Sequence, residues 1–493
     1  MILFMSEVEN TLPLATHLIE AFSRFSGLKI NWTKSVLFPL YSLPSSSLDT
    51  ELPIVSEFKY LGIHITKDAA SFHSLNIQPL LNYSADKFRV WSGLPLSVPG
   101  RINLIKLIIL PKWLYVLEHA PFLVPKKIFQ RFRSLLSPLI WGNNRRKLSI
   151  DVLCRPRDEV GMSLPDLYLY YLSGQLRQLK SWISSDGTLA RAEKQLAVFL
   201  DIPSLWPVLE QPKLFGRLLL PVHKLAVQVW EDGKKLHFHI GLTTEVPLWD
   251  NPMFPSLRTG IDGRFWENHG IGVLGDLYSS NVFNSFEQLK ERHDLPRTSF
   301  FKYLQVRHAM STHFGNTVVS ISDYPLIGVI RSQGPKGFIS ALYTHLLNTK
   351  MHGAPLLVLS KWETLMPGII NEDINDILES PVLVSPSINN RFIQLCIVHQ
   401  SYLSPMRLHR IGKLTHSKCH RCNAEGANFW HLIWECPYIQ TFWSGIVSFI
   451  NTLTQPSVAL TRQVCLFGIL DEEVYPHHCR IFLRETLQGV QNY

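Results

Sequence analysis

The chain has 493 residues, and the 46% that are hydrophobic supply enough apolar side chains for several packed cores. Charged residues make up 18%, and prolines and glycines are spread along the chain without a fixed period, which excludes disordered and solenoid proteins. The formal net charge of +9 favours a polyanionic partner.

The sequence predicts neither a membrane span nor a secretion signal. A span needs about 20 uninterrupted apolar residues, and the longest apolar stretch, residues 102–124, is broken by Lys106, Pro111, Lys112 and Glu118. The first residues lack the basic flank and cleavage site of a signal peptide. Seven cysteines, unevenly placed, do not suggest a disulfide framework. We expect a cytoplasmic and/or nuclear protein that is not secreted and has no membrane partner.

The first seventy residues predict a small α/β segment. Residues 2–5 form a short apolar run that suits a buried strand. Apolar residues at helical spacing follow and end at Gly27, which predicts one helix. Residues 58–65 alternate in side-chain size, with a glycine at Gly62, and predict another strand.

From about residue 70 the pattern becomes helical. It predicts helices over residues 73–91, 101–110 and 126–141, the last of them introduced by Pro125. In this last helix four apolar residues form one stripe, which we interpret as a core face: Ile128, Phe132, Leu135 and Leu139. Residues 183–385 contain no motif that specifies chemistry.

Basic residues concentrate between positions 101 and 150. This window holds ten lysines and arginines against one acid, Glu118, so it accounts for the whole net charge. The ten are Arg101, Lys106, Lys112, Lys126, Lys127, Arg131, Arg133, Arg145, Arg146 and Lys147. A localised cluster of this kind predicts a nucleic-acid surface, although a basic helix pair can also be merely a solvated face.

A second acid-free run covers residues 391–424 and leads into a group of cysteines. We expect Arg407 and Arg410 of this run to contact nucleic acid, together with Lys59 of the predicted strand. The two basic regions could share one ligand.

The cysteine group has the spacing of a zinc site. Cys419, Cys422, His431 and Cys436 are separated by two, eight and four residues, which allows one tetrahedral ion. His420 is a weaker competing ligand, and reduced cysteines without a metal are the alternative. Four protein ligands leave no open position for water, so the predicted Zn²⁺ is structural.

Several short motifs surround these features. They are residues 22–35 (FSRFSGLKINWTKS), 58–63 (FKYLGI), 95–106 (PLSVPGRINLIK), 161–167 (GMSLPDL) and 402–408 (YLSPMRL). Together with the cysteine group they resemble the reverse transcriptase polyproteins of LINE-type, non-LTR retrotransposons. Val160 stands where the Gly-Gly-x-x-Leu-Pro-Asp box of that family has its first glycine.

The resemblance implies a fold class and a division of the chain. The class is α+β and predominantly helical. Residues 1–70 are expected to be a palm remnant with a primer-grip-like strand, residues 71–182 a helical thumb, residues 183–385 a connector, and residues 386–493 a C-terminal region with a zinc knuckle. The palm sheet is incomplete, so we expect the first seventy residues to be poorly supported.

The sequence departs from the family at the catalytic turn. The family's aromatic-Ala-Asp-Asp turn is missing before residues 2–5, and Mg²⁺ is expected only in the full-length family enzyme, where carboxylates hold two ions. No catalytic residue is therefore assigned. We expect a truncated protein that binds RNA and RNA–DNA or DNA duplexes without catalysis. The alternatives are a fragment of an intact RNA-directed DNA polymerase whose start has been misassigned, and a host zinc adaptor protein.

Overall fold

The computed structural model describes residues 2–40, 52–142, 147–157, 159–183, 191–202, 204–216, 218–237, 242–258, 260–315, 321–322, 324–332, 334, 336–351, 354–367, 377–378, 387–453, 455, 457–471, 473–476, 479–480, 482–483 and 486–487. Helices dominate this part of the chain, and its strands form short two-stranded pairs. The predicted fold class, α+β and mainly helical, is confirmed. None of the described helices is long and apolar enough to cross a membrane.

The N-terminal segment contains one helix and one hairpin. Helix α1 (Val8–Ser26) ends at Gly27, whose φ of 73° is the left-handed conformation that glycine tolerates. None of its residues is buried. Strands β1 (Glu57–Tyr60) and β2 (Ile63–Thr66) pair antiparallel.

Two predictions for this segment were wrong. Residues 2–5 are not a strand, because no described residue pairs with them. Residues 58–65 are a hairpin instead of one strand, since Leu61 and Gly62 both have positive φ, 47° and 89°, and reverse the chain.

Two long helical segments follow, and each contains one π turn. The first runs through α2 (Ala69–Phe72), a π turn (His73–Ile77) and α3 (Gln78–Ser92). The second runs through α4 (Val98–Leu104), a π turn (Ile105–Ile109) and α5 (Leu110–Glu118).

The predicted end of the second segment at residue 110 was wrong, because the helix continues through Pro111. A proline lacks an N–H and its ring normally clashes with the preceding turn. Here the N–H of Leu110 bonds to the carbonyl of Ile105, five residues earlier, and this wider turn accommodates the proline.

Helix α6 (Lys126–Trp141) has the predicted bounds, with Pro125 as its N-cap. Phe132 and Leu139 of the predicted stripe are buried, and Ile128 and Leu135 pack partly buried against the core. The stripe is therefore confirmed as a core face.

The other described helices and strands complete the chain. The helices are α7 (Ile150–Cys154), α8 (Leu167–Gln178), α9 (Lys180–Ile183), α10 (Arg191–Phe199), α11 (Trp206–Glu210), α12 (Pro221–Leu236), α13 (Gly260–Asn268), α14 (Phe286–His293), α15 (Phe300–Phe314), α16 (Pro325–Ser332), α17 (Phe338–Met351), α18 (Ala354–Leu365), α19 (Ile388–Val398), α20 (Pro405–Arg410), α21 (Pro437–Leu453) and α22 (Arg462–Phe467). The strands are β3 (Leu242–Thr243), β4 (Tyr278–Ser279), β5 (Val282–Phe283) and β6 (Ile321–Ser322); β3 pairs parallel with β6, and β4 antiparallel with β5.

Residues 161–167 form a tight turn that leads into α8. A Cβ atom on Gly161 would lie 2.1 Å from the carbonyl oxygen of Arg155, so this position requires glycine. Val160 before it is buried and has a φ of 53°, which is strained for a β-branched residue. Asp166 is the N-cap of α8, and its Oδ1 accepts hydrogen bonds from the N–H groups of Tyr168 and Leu169.

Contacts cross the predicted boundaries at 182/183 and 385/386. The rings of Tyr170 and Tyr343 stack with centroids 3.8 Å apart where α8 packs against α17. In the C-terminal region α19 packs against α4, and His399 Nε2 donates a hydrogen bond of 2.7 Å to the carbonyl of Val160. The buried apolar residues of these regions form one continuous core.

Candidate metal centre and basic surface

The four predicted zinc ligands lie together. One ligand atom from each of Cys419, Cys422, His431 and Cys436 lies within 4.8 Å of all the others. Cys422 Sγ is 3.2 Å from His431 Nε2. Cys419 and Cys436 are fully buried, whereas the other two are half-buried. The sequence prediction of one four-residue group able to hold a metal ion is confirmed.

A tight turn positions the first two ligands. The N–H of Asn423 donates to the carbonyl of Cys419, and the N–H of Cys419 donates to the carbonyl of Ala424, each at 2.9 Å. Asn423 has a φ of 61°, which asparagine tolerates better than most residues. This turn brings the Cys419 and Cys422 thiols to the same side.

A π turn positions the other two ligands. His431–Glu435 is the π turn, and the N–H of Cys436 donates to the carbonyl of His431. The N–H of His431 donates to Asn428 Oδ1 at 2.7 Å, which fixes the start of the turn. The guanidinium of Arg421 donates to the carbonyl of Leu432 and so ties the two halves of the site together.

The site also favours a thiolate. Burial acts to raise the pKa of Cys419, but hydrogen bonds from the backbone N–H groups of Cys422 and Arg421, and then from the His431 side chain, outweigh it and lower this pKa to about 6. Thiolates and neutral imidazoles are the ligands that bind zinc. The donor set therefore fits a closed tetrahedral centre. His420 is exposed and does not belong to the group.

Three of the predicted nucleic-acid residues are engaged within the fold. Arg101 donates from Nη1 to the carbonyls of Leu139 and Ile140, at 2.7 and 3.2 Å, and so caps the end of α6. Lys126 pairs with the buried Asp232, and Arg133 with Asp151, at 3.0 and 2.6 Å. Both acids lie outside the 101–150 window. The basic surface is therefore smaller than the sequence count indicates.

Two further lysines of this window, Lys106 and Lys112, interact with neighbouring side chains. Lys106 is half-buried, and burial followed by the nearby Arg157 lowers its pKa. Lys112 is exposed, with its Nζ 5.0 Å from the ring centre of Tyr83.

Other predicted contacts are exposed, and the structure gives them no ion pair within the described residues. Lys127 and Arg131 are four residues apart on α6 and share one helix face. Lys59 on β1, and Arg407 and Arg410 on α20, are also exposed. Arg145 and Arg146 lie outside the described residues.

Lys147 connects the two basic regions. Its Nζ lies 5.8 Å from the ring centre of Tyr402 and 6.0 Å from that of Phe392. Tyr402 precedes Arg407 by five residues, and α19 packs against α4. Residues that are far apart in sequence therefore lie on neighbouring parts of the molecule.

Sequence analysis missed the polar residues of the middle region. Glu210 and Lys234 form an ion pair of 3.0 Å, and both are buried. His237 and His345 face each other with their Nε2 atoms 2.9 Å apart. Spacing does not signal these contacts, because each pair joins residues more than twenty positions apart.

No protein-family model matches the sequence.

Proposed function

We propose that this protein binds nucleic acid through exposed lysines and arginines of its two basic regions, which flank a module that a structural zinc ion stabilises. The observation that carries the proposal is the contact of Lys147 with Tyr402 and Phe392, because it places the two regions on adjacent parts of the molecule. A single RNA or RNA–DNA or DNA duplex can then meet both.

The charges available for phosphate contact support the proposal. Lys127 and Arg131 project from one face of α6, while Arg407 and Arg410 project from α20, and the described residues offer them no acidic partner. Exposed cations without acids favour polyanion binding. Contacts of this type are largely independent of base sequence.

Zinc is the ion that the four-residue group suits best. Three thiolates and one imidazole match the ligand preference and closed geometry of structural zinc centres. Its role in this proposal is to hold the turn at Cys419 and the π turn at His431 together, since the module is small and has few buried apolar residues of its own.

We further propose that the protein derives from LINE-type reverse transcriptase polyproteins. The sequence motifs support this descent, and the turn at Gly161 with the helix cap at Asp166 gives two of the motif residues a clear structural role. Binding is the function that we assign to this chain.

Charge reversal tests the binding proposal. The double variant Lys127→Glu, Arg131→Glu should lower the affinity for a 20-nucleotide RNA at least tenfold at low salt, because two phosphate contacts become repulsive. The matched control is Arg297→Glu, Arg307→Glu, which makes the same change in net charge at two other exposed positions. Equal affinity losses in the two variants, or no loss in either, would refute the proposed surface.

A further inference from the structure

A cavity of about 360 Å³ adjoins the candidate metal centre. Ligand pockets in proteins measure roughly 300 to 1,000 Å³, so this one is large enough for a small planar group. Cys419 contributes to its wall as well as to the metal group. The shape of the cavity therefore depends on the fold of the metal module.

Part of the cavity lining is apolar. Leu408 of α20, Leu414 and Leu432 belong to this part. The N–H of Lys413 donates to the carbonyl of Leu408 at 2.8 Å, and the His409 ring bonds to the carbonyl of Leu414 at 3.1 Å, so the loop after α20 folds back beside the helix. Leu432 comes from the π turn and packs against the cysteine group.

Polar side chains also line the cavity. His416, His420 and Asn423 line it, and within the described part of the chain their side chains make no hydrogen bond. An amide and two imidazoles offer both donors and acceptors in one place. Because these groups have no protein partner here, they can hydrogen-bond to a ligand without breaking the fold.

The surroundings of the cavity carry positive charge. Arg407 and Arg410 lie on α20, the helix that contributes Leu408 to the lining, and Lys413 lies in the loop after this helix. All three are exposed. Lys418 also lines the cavity, and it pairs with Glu425 at 3.3 Å. An occupant with a flat, partly apolar body, hydrogen-bonding edges and attached negative charge fits this combination.

We infer that the cavity receives one unpaired nucleobase of a single-stranded nucleic acid. This inference rests on the proposed function and deepens it, because it selects single strands over duplexes. In a duplex the bases are stacked and paired, and in a single strand they can turn out against apolar side chains and bond along their edges. The arginines of α20 then hold the adjoining phosphates.

The test compares two probes by fluorescence anisotropy at low salt: a labelled 12-nucleotide RNA and the 12-base-pair duplex of the same sequence. The double variant His420→Ala, Asn423→Gly should lose about tenfold in affinity for the single strand, equivalent to about 1.4 kcal/mol, since the hydrogen bonds to the base edge are removed. Its affinity for the duplex should change less than twofold. Glycine suits the positive φ at position 423, so the turn is preserved.

A second variant and a control complete the test. Leu414→Ala removes part of the apolar lining at a position that is already 38% exposed, and it should reproduce the selective loss. Lys413→Ala removes an exposed charge beside the cavity and should weaken both probes alike. Parallel losses for both probes in the cavity variants, or no loss, would overturn the inference while leaving the proposed function intact. A wild-type protein that binds neither probe would instead refute the proposed function itself.

Discussion

Among the described glycines, Gly161 is the one at which an added Cβ would come closest to another atom. A methyl group at this position would lie 2.1 Å from the carbonyl oxygen of Arg155, and backbone atoms cannot move aside easily. Gly161→Ala should therefore lower the free energy of unfolding by about 3 kcal/mol, measured by urea denaturation.

Gly328→Ala is the matched control. This glycine lies within α16, and no atom comes within 4 Å of an added Cβ. The change should raise the free energy of unfolding, or leave it unchanged within about 1 kcal/mol. Similar destabilisation by both substitutions would contradict the steric account of Gly161.

His399 makes stability depend on pH. Burial lowers the pKa of His399 to about 4, against the hydrogen bond to the Val160 carbonyl, which raises it; the charges of Arg155 and Lys361 lower it further. In the unfolded chain His399 binds a proton near pH 6.5, whereas in the folded chain it binds one only near pH 4. Keeping His399 neutral therefore costs the folded state nothing above pH 6.5. As the pH falls from 6.5 towards 4, the free energy of unfolding decreases by about 3 kcal/mol in total.

The substitution His399→Gln separates this effect from the other histidines. Glutamine retains an N–H donor but does not titrate. The difference in unfolding free energy between wild type and variant should shrink between pH 7 and pH 4.5. A difference that stays constant over this range would show that His399 does not titrate as described.

At the residue scale the sequence predicted the grouping of the four cysteine and histidine residues, but not the ion pairs of the basic residues. The spacing of Cys419, Cys422, His431 and Cys436 is local, so one tight turn and one π turn suffice to bring them together. The partners of Lys126 and Arg133 cannot be predicted in this way. Asp232 lies more than one hundred residues from Lys126, and its proximity depends on the packing of α12 near α6 and α8.

At the scale of elements, the bounds of α6 and the end of α1 at Gly27 followed from proline and glycine signals. The same signals misled at Pro111. A π turn occurs two residues before that proline, two before Pro79 and two before Pro437. Widened turns of this kind have no signature in apolar periodicity, so a proline inside a helical pattern marked an end that the helix does not have.

The proposed zinc ion links the stability of the metal module to a ligand. Purified protein should contain about one zinc ion per chain, measured by inductively coupled plasma mass spectrometry. Cys422→Ser should abolish this zinc and unfold the module, because binding of a structural metal is coupled to folding.

The control for this measurement is Cys479→Ser, which removes a half-buried cysteine outside the group. It should leave the zinc content unchanged. A wild-type protein without zinc, or a Cys422→Ser variant that keeps it, would remove the metal centre from this account.

At the scale of the whole molecule, the sequence predicted the helical class but not how the regions pack. Predicted segments 71–182 and 183–385 share a core through α8 and α17, where Lys350 Nζ lies 2.6 Å from the capping carboxylate of Asp166. This pairing joins residues 184 positions apart. Periodicity identifies which face of each helix is apolar, but several helices present similar faces and only packing selects among them.

The exposed cations of both basic regions should act together on one nucleic acid. Each phosphate contact with a single strand contributes about 0.7 to the slope of log affinity against log salt. About six such contacts predict a slope near −4 for a 20-nucleotide RNA titrated between 50 and 200 mM salt. A slope near zero, or no measurable affinity at 50 mM salt, would contradict the account.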